Sequence, residues 1–179
     1  MRHYLKRFFL MLCCLALLAS GCSNRTGSNS SGRADGKEQK VIRASDLVTK
    51  ADAERILKVP VRLDAEQISE TRSYSFYGGT NVEKGNPSSF AVSLIVPSTE
   101  DLAKTSFETT SKQGERMGSV QPVAALGDEA QLASGSPATL MIYARKKRAV
   151  LTLTAVGNSD AKPSLSELRS LAMRVLEQL

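Results

Sequence analysis

Cys22 is the residue whose setting most directly prescribes a reaction. It follows Leu18-Ala19-Ser20-Gly21, small side chains of the kind a peptidase must seat beside a scissile bond, and its thiolate is a nucleophile able to accept a diacylglyceryl group. Ser159-Asp160-Ala161-Lys162 has the Ser-x-x-Lys spacing of a nucleophile and its base, just ahead of a helix signal. With 22 serines and 11 lysines in 179 residues, roughly 1.4 such matches arise from composition alone, and no partner motif accompanies this one. Asp128-Glu129 and Glu100-Asp101 could offer oxygens to a hard cation, but neighbouring carboxylates alone supply too few ligands for calcium, and helix caps or solvated turns use such pairs equally well. Arg145-Lys146-Lys147-Arg148 is a dense basic run that could touch anionic headgroups or glycans, or form a solvated hairpin tip that discourages edge pairing.

The only histidine, His3, and two of the three cysteines, Cys13 and Cys14, lie within the first 21 residues. If those residues are removed, no Ser-His-Asp triad, Cys-His pair, His-ligated zinc or internal disulfide can be assembled. No cofactor and no metal are therefore expected.

The opening MRHYLKR is basic, and the following FFLMLCCLALLA is an uncharged apolar run of 12 residues, too short to cross a roughly 30 Å hydrocarbon core. Residues 1–21 read as a signal peptide, and Leu18 to Cys22 resembles the bacterial lipobox, with Ala19 where leucine is commoner. The expectation is an acylated Cys22 holding the chain to a membrane; an ordinary secretory signal would leave the same thiol free. Ser23, rather than aspartate, favours delivery to the outer membrane, facing the periplasm, in a cell with two membranes. Residues 22–44 are rich in Ser, Gly and Asn and read as a disordered tether with a reach of roughly 25 Å.

The net charge of +6 invites a nucleic-acid reading until it is divided along the chain. Residues 1–21 carry three bases and no acid, residues 22–44 five bases against two acids, and residues 45–179 sixteen of each. A neutral domain lacks the electrostatic footprint that phosphate binding needs, so no nucleic-acid partner is expected.

Residues 45–179 suit a single globular domain, expected to be monomeric. Thr49 can cap a helix through Ala51, Ala53, Ile56 and Leu57, ending near Lys58 because Pro60 disfavours helical geometry in Val59. Ser73 to Tyr77 and Phe90 to Val96 alternate as strands, a helix follows from Thr99 to about Lys112 with Gly114 suited to its end, and 120–133 reads as two short strands around Gly127-Asp128. Residues 138–144 and 149–156 form a hairpin, and Ser164 with Glu167 caps a helix whose Leu165, Leu168, Leu171, Ala172, Val175 and Leu176 share a face. Two strand-strand-helix units behind an N-terminal helix give an α+β class: an antiparallel sheet with flanking helices. The polar loop between the first two strands, bordered by Tyr74 and Tyr77 and carrying Gly78, Gly79, Asn81, Lys84 and Asn86, is a candidate binding loop, or simply a flexible connection.

Thr49-Lys50-Ala51-Asp52-Ala53, Ser73-Tyr74 and Leu126-Gly127-Asp128-Glu129-Ala130 ahead of a hairpin and C-terminal helix resemble a family of bacterial cell-envelope lipoproteins of unknown function. That resemblance implies a PsbP-like α/β sandwich and no site residue. It also implies one cysteine just before the first helix and one at the first aromatic strand; here those neighbourhoods read Ala44-Ser45-Asp46 and Thr71-Arg72-Ser73, without either. The function expected is a non-catalytic binding or assembly module of the envelope, its partner an envelope protein or a glycan. A hydrolase using two carboxylates, or a passive structural lipoprotein, are the alternatives.

Overall fold

The computed structural model describes residues 41–80, 88–135, 138–158 and 162–179. The expected signal peptide, Cys22 and most of the tether lie outside the described residues, as do Asn81, Lys84 and Asn86 of the loop and Ser159 of the Ser-x-x-Lys match. The described residues belong to one compact unit, Gln39–Leu179.

Ala44–Leu47 makes a single helical turn, α1. Ala44 is fully buried and its N–H donates to the Ser73 hydroxyl at 2.7 Å, so the fold begins inside the segment read as tether. In α2, Lys50–Leu57, the Thr49 hydroxyl accepts from the Asp52 N–H while the Asp52 carboxylate accepts from the Thr49 N–H, a reciprocal cap that satisfies two otherwise orphaned donors. Lys58 leaves the helix at φ 57° ahead of Pro60.

Seven strands follow, interrupted by one helix: β1 (Val61–Ile68), β2 (Arg72–Gly79), β3 (Ser89–Ile95), α3 (Glu100–Met117), β4 (Ser119–Pro122), β5 (Glu129–Ser134), β6 (Thr139–Lys146) and β7 (Ala149–Val156). Leu165–Glu177, α4, closes the chain with Ser164 as its cap. All seven strands form one sheet in the order β1-β2-β3-β7-β6-β5-β4, and every neighbouring pair is antiparallel. The chain is α+β, with helices flanking an antiparallel sheet.

Two elements depart from the sequence expectation. The first unit has three strands, because Val61–Ile68 also pairs; at the sheet edge it is exposed beyond Val61 and shows no alternating burial. Gly114 lies inside α3 rather than ending it. A Cβ there would stand 2.8 Å from Cε2 of Tyr143, so the missing side chain lets the helix settle onto that ring.

Successive strand residues point to opposite faces, and the two faces are covered unequally. On one, α1, α2 and α4 bury Ile56, Leu57, Leu168 and Val175 against Phe90, Val92, Leu151 and Leu153. Each such side chain contributes roughly 1.5–3 kcal/mol relative to exposure. On the other, α3 packs on β4 to β7, with Ala103 and Phe107 against Ala133, Tyr143 and Val150.

Candidate functional site

Because α3 takes only the β4–β7 side, the β1–β3 half of the same face is left largely open among the described residues. Its floor is set by register. Phe76 pairs with Ala91 and Ala91 with Thr154, while Tyr74 pairs with Ser93 and Ser93 with Thr152, and all six side chains are half-buried. Ala65 and Gln67 of β1 continue these rows beyond Phe76 and Tyr74. Burial pushes the Tyr74 phenol above its ordinary pKa, partly offset by the Arg72 guanidinium. At one end the ladder slips between Leu63 and Ala65, a bulge beside which the Asp64 carboxylate lies against Gly78 and pairs with Arg62 at 2.5 Å.

The aromatic residues expected to border one loop are divided between faces. Tyr77 points to the helices, is 2% exposed, and donates its hydroxyl proton to the Val48 carbonyl at 2.6 Å. A separation of three residues along a strand cannot place Tyr74 and Tyr77 together, whereas Tyr74 and Phe76, two apart, share a face. Gly78 and Gly79 belong to β2, not to the loop; the Asp64 carboxylate and the Ser88 carbonyl occupy the space their side chains would need.

The basic run is likewise committed to structure. Arg145 is buried, its Nη2 bonded to Glu129 at 2.6 Å and its Nη1 to Asp128 at 3.1 Å and to the Lys147 carbonyl at 3.0 Å. Lys146 donates to the Leu176 carbonyl in the last turn of α4, and Arg148 to the Ser98 carbonyl ahead of α3. An anionic surface would meet Lys147 and Arg148, not a tetrad.

Between α2 and α4 a cleft of about 160 Å³ is lined by Asp52, Arg55, Glu167 and Arg174, with Ile56 and Leu171 at its floor. Burial alone would raise the Asp52 carboxyl, but Arg174 at 2.7 Å and the Thr49 N–H and hydroxyl outweigh it and hold the group below its usual 3.8. A carboxylate kept ionised in this way is unsuited to donating a proton and well suited to tying two helices together. Among the described residues no group of three or more His, Cys, Asp or Glu could hold a metal ion, and no helix is long and apolar enough to cross a membrane.

Asp52→Asn is expected to cost about 1–2 kcal/mol at pH 7 through the weakened cap and the lost partner of Arg174. Because the folded pKa is depressed, this stabilisation is present above the unfolded value of 3.8 and disappears as the pH falls through the folded one. Urea midpoints of wild type and variant should therefore converge below pH 3.8; a constant gap down to pH 2 would remove the electrostatic explanation.

Comparison with family models, with curated proteins and with solved structures returned no match to this chain.

Proposed function

We propose that this chain is a bacterial envelope lipoprotein, acylated on Cys22 and tethered by the residues that follow it, whose PsbP-like domain acts as a non-catalytic binding or assembly module. The observation that carries the binding assignment is the unequal covering of the sheet: Tyr74 and Phe76 stand in register with Ala91 and Ser93 on a half-face that α3 leaves open. Accessible aromatic rings on a rigid sheet provide contact area at little entropic cost. Asp52 and Arg145, the buried charged side chains among the described residues, are engaged in holding the fold.

Radiolabelled palmitate should enter the wild type and not Cys22→Ser; label in both, or a free Cys22 thiol, would remove the anchor from the reading. The anchored wild type is expected to form cross-linked adducts in intact cells, and Phe76→Arg should lose them while retaining both the label and the far-UV circular dichroism. Identical adducts in Phe76→Arg would show that the open half-face binds nothing.

A further inference from the structure

We propose that the open half of the sheet binds a linear, uncharged glycan of N-acetylhexosamine rings; this rests on the reading of that half-face as the binding surface. Size narrows the occupant first. Four strands, β1 to β3 and β7, and about five residues along each give a surface roughly 15 Å wide and 17 Å long. That is far below the roughly 800 Å² per partner of a stable protein interface, so neither a second copy nor a globular partner can gain much there.

A peptide could escape that limit by adding a strand to β1, but this edge is guarded. The bulge between Leu63 and Ala65 breaks its ladder, and Arg62 with Asp64 places a charged pair beside it. An acyl chain fits no better. It would cover the Ser93 and Thr152 hydroxyls and the Gln67 amide without replacing their hydrogen bonds to water, a cost of about 1–3 kcal/mol for each.

A sugar chain meets each of these features. The carbon-bound hydrogens of a pyranose ring can lie on Tyr74 and Phe76, whose half-burial already restricts their rotamers. Ring hydroxyls and an acetamide can exchange hydrogen bonds with Ser93, Thr152 and Gln67, while the short side chain of Ala91, paired with Phe76, leaves an acetyl methyl free to pack against that ring. Charge agrees, since Asp64 neutralises Arg62 and the rows through Tyr74 and Phe76 hold no ionised group, while Arg72, whose guanidinium acts on the Tyr74 phenol, stands at the end of the patch as a donor to sugar oxygens.

The test is amide chemical-shift mapping on the ¹⁵N-labelled full chain carrying Cys22→Ser, titrated with chitotetraose and, separately, with maltotetraose. Saturable shifts are expected at 74–76, 91–93 and 152–154 with chitotetraose, and these should weaken about tenfold or more in Tyr74→Ser. Ser93→Gln, which raises the floor beside Tyr74 while keeping both rings, should weaken them independently should Tyr74→Ser unfold. Arg55→Gln, in the remote cleft, should not alter them. Absence of shifts, shifts confined to the Arg55 and Arg174 cleft, unchanged affinity in both face variants, or an equal response to maltotetraose would each overturn the proposal. If chitotetraose gives nothing while Phe76→Arg still abolishes the cellular adducts, the glycan assignment falls and the binding surface stands; if both tests are negative, the surface assignment falls with it.

Discussion

Replacing Arg145 by methionine is expected to lower the stability of the fold by about 3 kcal/mol, whereas Lys147→Ala, two residues away, should change it by no more than about 0.5 kcal/mol. The guanidinium is the common partner of Asp128, Glu129 and the Lys147 carbonyl, and its removal leaves two adjacent carboxylates facing a vacated, buried position. Both carboxylates are nearly half-exposed, at 45% and 44%, so they regain some hydration and the cost stays at the low end for a broken buried pair. The turn that carries them is held separately by the backbone, where the Asp128 N–H donates to the Arg145 carbonyl and Gly127 sits at φ 66°, so the loss falls on the side-chain contacts. Urea denaturation read by circular dichroism should show the midpoint shift at unchanged slope. Equal and small effects of the two substitutions would mean that the basic run is a surface feature throughout.

Introducing Ala44→Cys together with Ser73→Cys is expected to form a disulfide spontaneously under air and to stabilise the oxidised protein by about 2–3 kcal/mol. The Ala44 N–H already bonds the Ser73 hydroxyl across 29 residues of chain, and both residues are buried. That bond limits the two Cα atoms to a separation of about 7 Å or less, within reach of bridging geometry. Closing a loop of this length removes roughly 3.6 kcal/mol of unfolded-state entropy, from which about 1 kcal/mol is subtracted for the lost hydrogen bond. Reduction with dithiothreitol should abolish the gain. A double variant that stayed reduced in air, or that was destabilised on oxidation, would contradict the geometry.

What was legible in the sequence follows from how locally each feature is determined. The caps at Thr49 and Ser164 involve partners three residues away, and α4 announces itself because its buried residues recur with the helix period. β1 lacks such a signature, since an edge strand exposed from Arg62 to Ile68 has no buried side to alternate. The partners of Arg145 lie 16 and 17 residues earlier and meet it only through the β5–β6 register, which no local pattern encodes. The division of Tyr74 from Tyr77 was accessible from strand parity alone. The vacancy beside them was not, because it depends on where α3 comes to rest, and that is fixed in part by Gly114 accommodating the ring of Tyr143.

The antiparallel pairing of β3 with β7 joins the two halves of the chain at the middle of the sheet, matching Ser89 with Val156 and Ile95 with Val150. During vectorial synthesis, β1, β2 and β3 emerge as a meander whose last strand must wait through α3, β4, β5 and β6 for its neighbour. Throughout that interval the β3 ladder groups that will face β7 stay unpaired, and Phe90, Val92 and Leu94 lack the strand beside them and the α4 cover above them. Native-state formation is thereby coupled to arrival of the final strand, as expected for topologies dominated by distant contacts, which fold in milliseconds to seconds rather than microseconds. A nascent chain of this design is most vulnerable to edge-to-edge aggregation just before β7, in its last sixth, appears.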